Sequence, residues 1–182
     1  MCPDCRQQRP HFRELRSWST FAGPVRHALL QLKYQRDVGL GEALTPQLHE
    51  FAAALGWRVS LIVPVPLSRK RQKERGYNQA ALVARPLSMA LKVPYAPGAL
   101  VRTRETRSQV GLTKAGRYDN VHDAFQAARR DVSGRIILLI DDVATTGATL
   151  SSCAAALYAA GAREVFALSV ARANHAHHSG EA

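Results

Sequence analysis

The sequence predicts an α/β fold with a central, mostly parallel sheet flanked by helices, and three stretches carry that prediction. Ile136 to Ile140 is a run of five aliphatic residues, and Val59 to Val65 is a second apolar run. Continuous runs of this kind, rich in β-branched residues, suit strands buried on both faces, as parallel strands are. The third stretch follows the first run: the acids Asp141 and Asp142, a small hydroxylated loop, then an alanine-rich helix from Leu150 that closes on Gly161. Strand, loop and helix in that order are the repeating unit of parallel sheets.

The remaining elements follow along the chain. Residues 16 to 21 alternate enough for a short strand, and Gly23-Pro24 opens a helix through Lys33 with Val25, Leu29, Leu30 and Leu32 at helical spacing. A second helix is expected from about Leu40 to Leu55, ending at Gly56. Pro64 and Pro66 interrupt the strand over Val59 to Val65, because proline has no N–H for a ladder. Gly76 to Leu91 reads as a helix with Ala80, Ala81, Val83, Ala84 and Leu87 on its apolar face, and Pro86 is expected to kink or end it. Leu100-Val101 is a short strand, Phe125 a core residue before the central strand, and Glu164 to Val170 the last strand.

The chain has 182 residues, 46% of them hydrophobic, and suits one domain with a small appendage. Nothing approaches the ~20 apolar residues of a membrane helix, so membrane insertion is not expected, and no secretory signal is visible. Three cysteines cannot all pair, which favours a reducing compartment, the cytoplasm.

Charge is unevenly placed. Of a formal net +11, nearly all lies between Pro64 and Arg117, where twelve Lys or Arg face only Glu74 and Glu105. Arg69 to Arg75 holds five cations in seven residues directly after a strand. Such a concentration implies a polyanionic ligand, a diphosphate or a nucleic-acid backbone, unless it is a solvated basic surface.

Asp141 and Asp142 stand where a buried strand ends, at the carboxyl edge of the sheet, where open α/β folds bind ligands. Ala144, Thr145, Thr146, Gly147, Ala148 and Thr149 follow, small or hydroxylated, on the positive end of the next helix. Their amides and hydroxyls suit a phosphate. The two carboxylates suit a vicinal diol or outer-sphere magnesium. A helix cap needs one acid and accounts for neither the second nor the threonines. Lys33 has two readings, a cation reaching the ligand or a lysine favoured by its helix C-terminus.

Hydrophobic strand, two adjacent acids and a Thr/Gly loop together resemble the phosphoribosyl-diphosphate (PRPP) motif of type I phosphoribosyltransferases. Pro64-Val65-Pro66, the basic segment and Arg75-Gly76-Tyr77-Asn78-Gln79 narrow the resemblance to the ComF family of phosphoribosyltransferase-like proteins, named for natural-transformation competence. With Lys33-Tyr34 and Gln109 the likeness extends over most of residues 18 to 172.

The resemblance implies a type I phosphoribosyltransferase fold over residues 16–173. It implies PRPP bound with Mg2+: the 5′-phosphate on the loop from Ala144 to Thr149, the ribose hydroxyls on Asp141 and Asp142 as the catalytic pair, and the diphosphate near Arg69, Lys70, Arg71 and Arg75. Residues 102 to 117 take the place of a flexible loop that closes over PRPP, with Arg104, Arg107, Gln109 and Lys114 as its candidate contacts; an exposed connector is the other reading.

The family usually carries a four-cysteine zinc ribbon ahead of this domain, so Cys2-Pro3-Asp4-Cys5 reads as half of one, a remnant over residues 1–15. Two thiolates make half a tetrahedral Zn2+ site, His11 is a possible third ligand, and no fourth is evident. Residues 174–182, with His175, His177 and His178, read as a disordered tail.

Three functions stay open. One is a PRPP-binding protein acting in natural transformation, handling single-stranded DNA with the DNA-uptake machinery, with Tyr77 and Tyr95 available for base stacking. The second is a phosphoribosyltransferase of nucleotide metabolism whose base acceptor no pocket in the sequence reveals. The third is a regulator that binds PRPP without turnover, since a scaffold alone does not establish transfer.

Overall fold

The computed structural model describes residues 9–34, 39–103 and 124–173. Four parallel strands form the main sheet in the order β1 (Glu14–Thr20), β6 (Glu164–Arg172), β5 (Ile136–Ala144) and β2 (Leu61–Pro64). A separate antiparallel pair joins β3 (Leu100–Arg102) to β4 (Phe125–Ala127). The helices are α1 (Gly23–Tyr34), α2 (Leu40–Ala43), α3 (Thr45–Ala54), α4 (Arg69–Arg75), α5 (Gln79–Leu91), α6 (Arg129–Val132) and α7 (Ala148–Ala159).

The aliphatic run of β5 divides its side chains between two cores, as the two-residue period of a strand requires. Ile137 and Leu139 meet Val165, Ala167, Cys153 and Leu157 on the α7 side. Leu138 and Ile140 meet Leu29, Leu32, Val83 and Leu87, from α1 and α5, on the other. All four β5 side chains are essentially inaccessible, so the uninterrupted apolar run is explained by burial on both faces.

The strand expected over 16 to 21 is Glu14–Thr20 and the one over Val59 to Val65 is Leu61–Pro64, and three further boundaries differ in ways that shape the fold. The helix expected from Leu40 to Leu55 is two helices, α2 and α3, because Pro46 has no N–H to give to the carbonyl of Glu42. The helix expected from Gly76 starts at Gln79: Gly76, at φ +82°, ends α4 instead, and Asn78 caps α5 by accepting from Ala80 N.

Pro86 does not stop α5, which continues to Leu91. The Leu82 carbonyl, which Pro86 cannot serve, lies against Gly41 of α2, where a Cβ would come within 2.4 Å of that oxygen. Glycine there lets two helix backbones touch.

The third difference concerns the site. β5 does not end before the acids but runs through Asp141 and Asp142 to Ala144, because β6 extends equally far and keeps pairing with it. β2 stops earlier. Its last partner is Ile140, with Val65 N donating to Ile140 O at 2.8 Å, before the chain turns away at Pro66. From Asp141 onward, the edge of β5 that faces β2 has lost its neighbouring strand.

From there the chain diverges. After β2 it passes through α5 to Tyr95, which bridges Ile62 on the outer edge. After β5 it crosses the opposite face through α7 to reach β6. Neighbouring strands whose connections leave in opposite directions open a crevice at their carboxyl ends, the usual ligand site of such sheets. Among the described residues no helix is long and apolar enough to cross a membrane.

Candidate functional site

Asp141 and Asp142 stand side by side at that crevice, Asp142 on the α1 side and Asp141 on the α7 side. Asp142 N donates to Asp141 Oδ1 at 2.9 Å. Burial pushes the Asp141 carboxyl well above the usual carboxylate range, and the Asp142 charge beside it pushes it further. Lys33 Nζ lies 3.9 Å from Asp142 Oδ2. Lys33 stands in the last turn of α1, as the helix-terminus reading has it, and its ammonium also reaches the acid pair.

The next strand supplies a polar row. Ser17, Ser169 and Asp141 are in register across β1, β6 and β5, and the Ser17 and Ser169 hydroxyls are 2.7 Å apart. Ser169 also donates to Ala171 O at 3.1 Å and is fully buried. Single serines inside apolar strands gave no signal in the sequence; only the register reveals them as a pair.

The phosphate-type loop is shorter than its sequence suggested. Thr145, Thr146 and Gly147 connect β5 to α7, while Ala144 closes the strand and Ala148 and Thr149 lie in the first helical turn. Gly147 caps α7 at φ +82°, a conformation that favours glycine. Thr146 Oγ1 accepts from Ala148 N at 3.3 Å. Phe12 and Leu15 lie against the Gly147 position, and His11 N donates to Ser151 Oγ at 3.0 Å, so the residues ahead of β1 fold over the start of α7.

On the β2 side the basic segment becomes a short helix. Ser68 caps α4, and Arg69, Lys70 and Arg71 are exposed along it. Arg75 lies with its guanidinium 5.7 Å from the Tyr34 ring centre. The four cations therefore leave the carboxyl end of β2, but only Arg75 turns back toward α1.

The residues after Arg75 do more than the sequence revealed. Tyr77 Oη donates to Leu32 O at 2.7 Å, and Asn78 Nδ2 donates to Val65 O at 2.9 Å. Gln79 is buried, with its Nε2 lacking a hydrogen-bond partner. Tyr77 is thus committed to α1 through its hydroxyl. Tyr95 bridges β2, where burial raises its phenol. The exposed ring here is Tyr34, 68% accessible with the Arg75 guanidinium over it.

The loop contacts expected at Arg104, Arg107, Gln109 and Lys114, the zinc candidates Cys2 and Cys5, and the histidine tail lie outside the described residues. Among the described residues no three metal-ligating side chains gather. Cys153 is buried in α7 with its thiol pushed up by that burial, which keeps it protonated. For magnesium, two adjacent carboxylates are suitable hard donors but not a complete cage. That fits an ion that keeps its waters and is shared with ligand oxygens.

The comparisons with known proteins give the family and the fold. Residues 75–179 match the phosphoribosyl transferase domain. Competence protein F of Haemophilus influenzae is 31% identical over 94% of this chain and 78% of its own length. The chain belongs to the ComF family of phosphoribosyltransferase-like proteins.

DNA utilization protein YhgH of Escherichia coli is a further ComF relative, 33% identical over 90% of this chain and 74% of its own length. Among solved structures, the PRPP amidotransferase of Bacillus subtilis, complexed with ADP and GMP, superposes with a TM-score of 0.50. It is 20% identical and covers 72% of this chain and 26% of that one. At that identity the likeness shows the fold, which is the type I phosphoribosyltransferase fold expected from the motif.

Proposed function

We propose that this ComF protein binds PRPP with Mg2+ in the crevice between β2 and β5 and acts in natural transformation, handling single-stranded DNA. The observation that carries the ligand reading is the adjacent pair Asp141 and Asp142 on β5, followed by Thr145, Thr146 and the left-handed Gly147 at the start of α7. Threonine hydroxyls and first-turn amides suit the 5′-phosphate. The carboxylates suit the ribose 2′- and 3′-hydroxyls, which donate to them. Magnesium, when bound, would neutralise diphosphate charge, with Asp141 and Asp142 the residues to hold it through its waters.

The role in transformation rests on the relatives named competence protein F and DNA utilization protein. The exposed cations of α4 beside the exposed ring of Tyr34 support it, since a single strand is held by backbone charge and base stacking.

Transfer is the second reading, and the acid pair favours it. Displacement of diphosphate from C1 of the ribose passes through a cationic sugar, which neighbouring carboxylates stabilise. The Lys33 ammonium and the α4 cations would take up the charge of the leaving group.

Diphosphate release from PRPP and magnesium, measured over a panel of bases with and without single-stranded DNA, separates these readings. The proposal expects salt-dependent DNA binding, PRPP binding, and no base that elicits turnover. Base-dependent release without DNA binding would make the protein a nucleotide-metabolism transferase. Binding of neither ligand would refute both readings.

A further inference from the structure

The Arg75-Gly76-Tyr77-Asn78-Gln79 run has a role that ligand contact does not explain. The Leu32 carbonyl lies in the last described turn of α1. Tyr77 Oη donates to it at 2.7 Å. Two residues further on, Tyr34 lies under the guanidinium of Arg75. The residues on either side of Lys33 are therefore both gripped by the same short stretch.

Asn78 fixes the other end of that stretch to Val65 O, and Val65 N is bonded to Ile140 O of β5, one residue before the acid pair. The contacts close a ring: β5, the end of β2, the start of α5, Tyr77, the end of α1, and through Lys33 back to Asp142. A long, flexible lysine side chain is held near a carboxylate only if its own backbone is fixed.

We propose that Tyr77, assisted by Arg75 on Tyr34, is a positioning residue that holds the α1 terminus so that Lys33 stands over Asp142. Tyr77 acts through the Leu32 carbonyl. The importance of this position to ligand binding rests on the PRPP reading above; the positioning itself does not.

The first measurement is the rate at which Lys33 is acetylated in the ligand-free protein, resolved by mass spectrometry, with Lys92 as internal reference. Tyr77→Phe removes one hydroxyl and keeps the ring. The expected result is a several-fold rise in labelling of Lys33 with Lys92 unchanged and the circular dichroism spectrum intact. Labelling of Lys33 at the wild-type rate, or a parallel rise at Lys92, would overturn the proposal. Should Tyr77→Phe not fold, Tyr34→Leu, which removes the ring under Arg75, carries the same test with the same outcomes.

The second measurement is calorimetric titration with PRPP and magnesium. Tyr77→Phe and Lys33→Ala should each weaken binding about tenfold, a single contact's worth, and the double variant should be no weaker than Lys33→Ala alone. Fully additive losses would show that Tyr77 acts independently of Lys33 and would overturn the proposal. A wild-type protein that does not bind PRPP defeats the ligand reading, and the acetylation result then decides the positioning on its own.

Discussion

Asp141 is a carboxyl whose environment disfavours its charged form. It is buried beside a second carboxylate, and the folded protein holds its proton to a higher pH than the unfolded chain, whose aspartates titrate near about 3.9. Between that value and the raised one the native state binds more protons, so stability falls as pH rises across the window, and the whole penalty is present above it. Asp141→Asn keeps an oxygen to accept from Asp142 N and removes the charge. It should raise the melting temperature at pH 7.5, with each kcal/mol recovered worth about 2–4 °C in a chain of this size. The gain should vanish towards pH 4. A melting temperature below wild type at pH 7.5, measured by calorimetry, would show that the carboxylate stabilises the empty site.

At the scale of elements, the sequence was most informative where one pattern has one solution. Ile136 to Ile140 is aliphatic throughout, and only a strand covered on both faces accommodates it. Gly161, at φ +94° just past α7, marks the helix end as expected. Of the two expectations at Pro86, a kink or an end, the end is excluded because α5 continues to Leu91, and the Leu82 carbonyl that Pro86 cannot serve lies against Gly41. Gly41→Ala would place a methyl 2.4 Å from the Leu82 oxygen, which is backbone and cannot swing aside. It should therefore destabilise by about 1–3 kcal/mol, the usual cost of overpacking. Urea denaturation reads this directly, and an unchanged midpoint would mean that α2 is free to shift. The hydroxyl of Tyr77 was illegible: its partner is a main-chain carbonyl 45 residues away, and main-chain carbonyls look alike in any sequence.

At the scale of the whole molecule, the place of the candidate site follows from strand order. β2 and β5 are adjacent, but the chain leaves β2 through α5 and β5 through α7, on opposite faces. β2 stops one residue short of the acids. That is why Asp141 and Asp142 lie beside an edge without a neighbouring strand although they are ladder residues, with the Lys33 ammonium of α1 reaching Asp142. The motif named the candidate residues of the site. It could not show that the strand passes through the acids, that the loop is only Thr145 to Gly147, or that Tyr77 and Tyr95 are occupied, because each depends on where a neighbouring strand ends or which carbonyl lies within reach.

The central claim is that the acid pair holds the ribose of PRPP, and calorimetric titration of PRPP with magnesium into wild type and into Asp141→Asn/Asp142→Asn tests it most directly. The account predicts saturable binding to the wild-type protein and none to the double variant, with both melting cooperatively. Equal affinity in the two proteins would contradict it.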